Sequence, residues 1–256
     1  MPAAAPRPGR LYLVPAPLDL GCQPPGDLRD TLPRATLEVA ARLTHWICEN
    51  AKTTRAYLKR VDAVQPLCQP LQSQLLQELP HAVHKQGDHR QPFDARPLLA
   101  PALAGHDMGL VSEAGMPAVA DPGASVVRSA HALGLQVVPL VGPVSLLLAL
   151  AASGLNGQQF AFVGYVPQDA TARTRRIREL EALALRHGQT QLFIETPYRN
   201  AALLQALLQT LHADTRLAVC SGLTLAEARI RSLPVRDWRR STDAAPTLPT
   251  VYAIGP

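Results

Sequence analysis

Three carboxylates follow apolar runs in this chain. They are Glu49 in Cys48-Glu49-Asn50, Glu113 in Val111-Ser112-Glu113-Ala114-Gly115, and Glu195 in Phe193-Ile194-Glu195-Thr196-Pro197. A carboxylate at a strand end can take up and return a proton. Glu49 and Glu113 are therefore the candidate catalytic bases, and parallel strands would let all three acids converge. The plainer role for such residues is to cap a helix or pair with a nearby arginine. The stretch around Glu113 carries a second kind of signal. Gly109–Val111 reads as a short strand, Ser112 to Pro117 as a loop of small residues, and Asp121-Pro122-Gly123 as a turn that opens a helix. Small residues let backbone approach a ligand, and glycine accepts dihedrals that other residues resist. Loops leaving the carboxyl ends of parallel strands are where open α/β sheets bind ligands. A third constellation is Arg173, Arg175, Arg176 and Arg178, a positive patch suited to phosphates or substrate carboxylates. It can equally be a solvated helix face balanced by Glu179 and Glu181.

Several chemistries lack their motif. There is no Gly-x-Gly-x-x-Gly and no Gly-x-x-x-x-Gly-Lys-Ser/Thr, which argues against a Rossmann dehydrogenase or a P-loop ATPase. Neither His-Glu-x-x-His nor Gly-x-Ser-x-Gly occurs. His81, His84 and His89 lie close to Asp88, but Pro80 and Gly87 frame them as a solvated polar loop rather than a metal site. Cys22, Cys48, Cys68 and Cys220 are scattered without Cys-x-x-Cys spacing and read as free thiols of a reducing compartment. No metal is expected.

The elements that must position these residues alternate between strand and helix. Leu11 to Pro17 is an apolar strand ending in a proline-rich loop; a helix spans about Pro33 to Leu43; His45 to Asn50 is a buried strand, and Lys52 onward is helical. Leu135 to Gly142 gives another strand. Such alternation predicts a parallel α/β sheet. The second half has an apolar helix after Gly142-Pro143, strands at Gln159–Pro167 and Thr190–Tyr198, an arginine-rich helix over about 171–186, a helix over 199–211, a strand at Arg216–Thr224, and Thr250–Pro256 closing the chain. The expected organisation is a flexible arm at 1–9, an α/β lobe at 10–140 and a second at 141–256.

At 256 residues, with 47% hydrophobic and 18% charged, the chain can build a sizeable core and is not globally disordered. Its net charge of +5, from 25 basic and 20 acidic residues, is compatible with a nucleic-acid partner. No window reaches the ~18 apolar residues of a membrane span. The longest apolar stretch, Val137 to Leu155, is broken by Pro139, Gly142, Pro143, Ser145 and Ser153. A soluble cytoplasmic protein is expected.

Taken in order, Leu11–Pro17, Glu49–Leu58, Val111–Gly123, Val137–Leu155, Phe160–Pro167 and Leu192–Arg199 resemble the tetrapyrrole methylase superfamily of S-adenosylmethionine-dependent methyltransferases. Within it they are most similar to the bacterial 16S rRNA cytidine ribose 2′-O-methyltransferase branch. The resemblance runs from about Gly9 to Pro256, and its specific part is Val-Ser-Glu-Ala-Gly-Met-Pro-Ala-Val-Ala-Asp-Pro-Gly followed by Leu-Val-Gly-Pro-Val-Ser-Leu-Leu. It implies a kidney-shaped α/β molecule of two lobes, a homodimer, with S-adenosylmethionine folded in the cleft between lobes. Carried over by position, the donor contacts fall on Pro15, Ala16 and Pro17; on Ser112, Glu113, Ala114, Gly115, Met116, Pro117 and Asp121; on Gly142, Pro143 and Val144; and on Ile194, Glu195, Leu223, Pro249 and Thr250.

The acceptor side departs further from the branch. Its Pro-Ile-Gly-Asn-Leu is Pro17-Leu18-Asp19-Leu20-Gly21 here, and its Glu-Asp-Thr-Arg is Glu49-Asn50-Ala51-Lys52. Its Arg-Glu-Leu-Thr-Lys is Ser221-Gly222-Leu223-Thr224-Leu225, and its aromatic-His-Glu-His-Asn is blurred into Val83-His84-Lys85-Gln86-Gly87. The resemblance implies an RNA methyltransferase acting on ribosomal RNA or the small ribosomal subunit. The mild basic charge and the patch Arg173, Arg175, Arg176 and Arg178, placed on the substrate, favour it, whereas the departures leave room for other acceptors. The alternatives are a methyltransferase of a tetrapyrrole or other small molecule, and a donor-binding protein without catalysis.

Overall fold

The computed structural model describes residues 7–19, 21–80, 83, 88 and 93–256. Most of the expected arm, and His81, His84 and His89, lie outside the described residues. The chain forms two compact units, Met1–Val144 and Ser145–Pro256. No helix among the described residues is long and apolar enough to cross a membrane.

The first unit is built on a five-stranded, wholly parallel sheet of β1 (Leu11–Val14), β2 (His45–Cys48), β3 (Leu75–Glu78), β4 (Met108–Val111) and β5 (Val137–Pro139), in the order β3-β2-β4-β1-β5. All four residues of β4 are buried, as a central strand covered on both faces requires. Gly109 belongs there for a steric reason. It pairs with Trp46 across β2–β4, and a Cβ would stand 2.5 Å from the indole. The indole itself is fully buried and donates Nε1–H to Gln74 Oε1 at 3.0 Å.

Among the described residues, two helices of this unit begin at polar side-chain caps. Helix α1 (Leu28–Thr31) starts at Asp27, whose side chain accepts from Arg29 N–H. Helix α2 (Arg34–Arg42) follows Pro33, where the missing N–H costs nothing. In α3 (Ala51–Val64), Asn50 Oδ1 accepts from the N–H groups of Lys52 and Thr53, and the buried stripe Thr54, Tyr57, Leu58, Val61 has the spacing of one helix face. Helices α4 (Ala100–Leu103) and α5 (Ala124–Ala132) flank β4 in sequence.

One correction concerns Asp88, placed by sequence in a solvated loop. It is 2% exposed, and its Oδ2 accepts from the N–H groups of Gly123 (3.3 Å) and Ser125 (2.5 Å) at the start of α5. Its carboxylate meets the positive end of that helix.

The second unit carries β6 (Phe160–Tyr165), β7 (Thr190–Glu195), β8 (Arg216–Ser221), β9 (Arg229–Pro234) and β10 (Thr250–Gly255), ordered β6-β7-β10-β8-β9. Only β6 and β7 pair in parallel; β10 is antiparallel to both neighbours, and β8 and β9 are antiparallel. The sheet is thus mixed, and the closing strand, wholly buried, is its centre. Around it lie α6 (Ser145–Ser153), α7 (Ala170–His187), α8 (Asn200–Thr210) and the short α9 (Val235–Trp238). The arginine-rich α7 is capped by Asp169 and ends at Gly188 in the left-handed conformation, with Ile177, Leu180 and Ala184 as its buried stripe. Strands β3 and β9 had no counterpart in the sequence reading.

Candidate functional site

In the first unit, strand order makes the site. The connection from β1 runs past β4 to β2, whereas the connection from β4 runs past β1 to β5. Adjacent strands whose connections leave in opposite directions form the switch point at which open α/β sheets hold ligands. The loops after β1 and β4 meet there. Ala16 N–H donates to the Gly115 carbonyl at 2.9 Å, and Gly115 N–H returns a bond to the Ala16 carbonyl at 3.0 Å. Gly115 has φ +72, which explains the glycine, and a Cβ would come within 3.2 Å of Leu18 Cδ2 and 3.6 Å of the Pro143 carbonyl. The loop after β5 closes on the same place. A Cβ on Gly142 would sit 2.3 Å from Pro15 Cγ.

Pro15, Ala16, Pro17, Ser112, Gly115, Pro117 and Pro143 are buried; Glu113, Ala114, Met116, Asp121, Gly142 and Val144 are half-buried. The sequence-chosen residues of the first unit thus come from three loops at one sheet end. Ala118 and Ala120 add backbone at φ 64 and 65, left-handed without being glycine, in the turn that leads to Asp121. Such conformations cost free energy and gather at ligand sites.

The electrostatics of this end are acidic. Glu113 N–H donates to Glu49 Oε1 at 3.3 Å, so the acids following β2 and β4 are neighbours. Asp121 is pushed up to about 7, first by burial and then by the charges of Glu49 and Glu113. Beside the acids, a cavity of about 250 Å³ is lined by Ala16, Pro17, Tyr57, Arg60, Ser112 and Glu113, among others. Ser112 is 5% exposed, and its hydroxyl has no hydrogen-bond partner among the described residues.

The sequence reading missed what stiffens this wall. Arg60 holds Asp19 with two bonds, Nη1 to Oδ1 at 3.0 Å and Nη2 to Oδ2 at 2.8 Å, and Arg60 Nη2 also donates to the Gly26 carbonyl at 2.8 Å. An aspartate in the proline-rich loop facing an arginine in the third turn of the next long helix was the available signal.

A second group forms by itself in the second unit. Thr250 at the start of β10 pairs with Glu195 at the end of β7 and with Ser221 at the end of β8. Gly222 N–H donates to the Pro249 carbonyl at 2.9 Å, and Leu223 next to it is buried. Ile194, Glu195, Leu223, Pro249 and Thr250 therefore share one sheet end. Glu195 is committed locally: its Oε1 accepts from Thr196 N–H and from Arg199 Nε, both at 2.8 Å. Asn200, unremarked in the sequence, organises the group. Fully buried, it donates to the Leu248 carbonyl (3.0 Å) and Thr250 Oγ1 (3.1 Å) and accepts from the Tyr252 hydroxyl (3.0 Å).

The arginines of α7 divide. Arg175 and Arg176 share Glu179, at 3.8 Å and 3.3 Å, while Arg178 makes no ion pair among the described residues. Arg173 reaches back to the Gln168 carbonyl at 3.5 Å. None of the four cysteines is in a disulfide, and burial pushes the Cys220 thiol up to about 11, making it an inert core group.

With two α/β units and a loop cradle at a switch point in place, the comparison with known proteins is direct. Residues 48–238 match the family of tetrapyrrole (corrin/porphyrin) methylases, and the chain belongs to it; it is an S-adenosylmethionine-dependent methyltransferase. Among individual relatives, it is 30% identical over 227 residues to the ribosomal RNA small subunit methyltransferase I of Vibrio cholerae, covering 89% of this chain and 69% of that protein. It is 31% identical over 248 residues to the protein of the same name from Mesorhizobium japonicum, covering 96% and 75%. The crystal structure of uroporphyrin-III-C-methyltransferase from Thermus thermophilus superposes with a TM-score of 0.53 over 96% of this chain and 94% of that one; at 19% identity this shows a shared fold.

Proposed function

We propose that this protein transfers the methyl group of S-adenosylmethionine to a ribose 2′-hydroxyl of ribosomal RNA in the small subunit. The observation that carries the donor half is the cradle at the β1/β4 switch point. Left-handed Gly115 is cross-bonded to Ala16, and the buried Ser112 hydroxyl has no partner among the described residues. A buried hydroxyl left unsatisfied is costly, and a polar ligand group would supply the missing bond. These residues fit a donor that offers hydrogen-bonding groups and a positive charge, since Glu49, Glu113 and Asp121 stand together beside them. Pro15, Ala16, Pro17, Ala114, Met116, Pro117, Gly142, Pro143 and Val144 complete its bed. In the second unit, Ile194, Glu195, Leu223, Pro249 and Thr250 form the other group of donor contacts. When bound, the donor supplies an electrophilic methyl, so the protein's own task is orientation and exclusion of water, together worth ~7–11 kcal/mol in well-aligned reactions.

The acceptor half rests on the relatives' names and on the arginines of α7. A ribose hydroxyl is a poor nucleophile, and its proton must go to a base as the oxygen–carbon bond forms. Glu49 and Glu113 are the proposed bases, being the strand-end acids nearest the cradle. Arg173, Arg175, Arg176 and Arg178 engage RNA phosphates; Arg175 and Arg176 share Glu179, whereas Arg173 and Arg178 have no ion pair among the described residues. The proposed setting is the cytoplasm and the proposed state a homodimer, for which sedimentation should give twice the mass of the chain.

The test is transfer of a labelled methyl group onto RNA from a strain lacking this protein, with wild-type RNA as control. Label confined to one RNA of the deletion strain supports the reading. Label entering a small-molecule extract instead would redirect it to a tetrapyrrole-like acceptor. Calorimetry with the donor alone separates a catalyst that lacks its acceptor from a chain that does not bind the donor at all.

A further inference from the structure

The chain has five tyrosines, four phenylalanines and two tryptophans, and six of these eleven, Tyr12, Trp46, Tyr57, Phe193, Trp238 and Tyr252, are buried in the cores. The exposed ones are Phe160 (40%), Tyr165 (55%) and Tyr198 (81%). Tyr165 and Tyr198 belong to the same end of the same sheet. Tyr165 closes β6 and pairs in register with Ile194 of the parallel strand β7, while Tyr198 lies in the short turn Pro197–Arg199 that directly follows β7. Each has a local reason for being exposed. The β6–β7 register shifts between Phe162 and Tyr165, and Gly164 at φ +74 makes the irregularity. Such a bulge re-aims the side chain that follows it. Tyr198 has Arg199 over its ring at 5.3 Å, and Arg199 is itself fixed by Glu195 at 2.7 Å. The ring is therefore supported by a cation, yet remains largely open.

The arginines sit at this end as well. Helix α7 begins five residues after Tyr165, and Arg173, Arg175 and Arg176 occupy its first two turns. Two exposed phenol rings beside a cluster of arginines form a combination with a specific use. Proteins that hold single-stranded nucleic acid pair a positive track for the backbone with aromatic faces on which unpaired bases stack. A duplex offers no free base face to such a surface.

Resting on the RNA reading above, we propose that Tyr165 and Tyr198 are a stacking platform for unpaired bases of the acceptor RNA, whose phosphates are taken by the arginines of α7. The substrate is thus single-stranded at the point of contact: a loop, bulge or unfolded segment of the ribosomal RNA, not a helix. The platform shares the end of β7 with Ile194 and Glu195, and so presents RNA at the sheet end that carries the second group of donor contacts.

Fluorescence anisotropy of the full chain tests this, using a short labelled single strand of RNA and a blunt duplex of the same sequence at two salt concentrations. The expected result is tighter binding of the single strand, and a loss of roughly tenfold for Tyr198→Ala. Tyr198→Phe, which keeps the ring, retains affinity. The salt slope is unchanged in Tyr198→Ala and falls by about one in Arg178→Ala. Tyr165→Ala reports the second ring in the same way. Tyr198 packs into no core, so an unaltered melting temperature confirms that the variant is folded. Salt-dependent binding that treats single strand and duplex alike, or that ignores Tyr198→Ala, overturns the platform and leaves the RNA reading standing. Absence of salt-dependent binding to any RNA overturns both.

Discussion

Replacing Asp121 by asparagine should change how stability depends on pH. The carboxyl of Asp121 is pushed from its ordinary 3.8 to about 7, by burial first and by Glu49 and Glu113 second. The folded state therefore holds this proton through a range in which the unfolded chain has lost it. Because folding favours the protonated acid, stability falls as pH rises from about 4 to about 7 and then levels off. At ~1.36 kcal/mol per pKa unit, the full interval corresponds to ~4 kcal/mol. Asp121 keeps part of its solvent contact, and screening reduces the expected effect to about 1–3 kcal/mol. Urea denaturation of wild type and Asp121→Asn at pH 4.5 and pH 8 measures it. The variant should gain stability relative to wild type by that amount between the two pH values. The same acid cluster should draw a cationic donor more strongly once Asp121 is ionised, so wild-type donor affinity rises from pH 6 to pH 8 and the variant's does not. A stability difference between variant and wild type that stays constant with pH would refute the reasoning, because Asp121 would then titrate alike in the folded and unfolded chains.

Gly142→Ala should lower the melting temperature by the equivalent of ~1–3 kcal/mol, since its Cβ would overlap the Pro15 ring at 2.3 Å and a proline ring cannot swing aside. Donor affinity should fall with it, because Pro15 leads into the cradle; a variant with wild-type melting and binding would show that these loops are not in contact. Asn200→Ala should cost about 2–3 kcal/mol in urea denaturation, by stripping the Leu248 carbonyl and Thr250 of a buried donor and leaving the Tyr252 hydroxyl with only its 3.4 Å bond to the Asn200 carbonyl. A loss below half of that would mean that water replaces the amide.

Much of the fold was legible locally. The Gly109–Val111 strand, the small-residue loop after it and the helix after Asp121-Pro122-Gly123 all form where residue type places them. The arginine-rich helix could be read locally, its apolar residues Ile177, Leu180 and Ala184 recurring at helical spacing and Gly188 closing it. Strand β9 could not, because Arg229–Pro234 lacks an apolar run. Its reason for being a strand lies in its pairing with β8, a partner supplied by the fold. Strand β3 is likewise defined by β2, its register partner. The antiparallel place of β10 was hidden for the same reason: a buried strand looks the same in sequence whichever way its neighbours run.

The sequence by itself marked most of the strands, helices and small-residue loops, β3 and β9 excepted, and through their order it pointed to the methyltransferase family. That information is local: backbone freedom, apolar spacing and caps are properties of neighbouring residues. Only the tertiary structure decided that β4 enters between β2 and β1. That insertion puts Gly115 on Ala16, brings Glu49 beside Glu113, and raises Asp121 to about 7. Charge–charge repulsion and desolvation depend on distance and burial. Neither is encoded at any single position, so a loop of small residues became a cradle with an acidic wall only once the strands had been ordered.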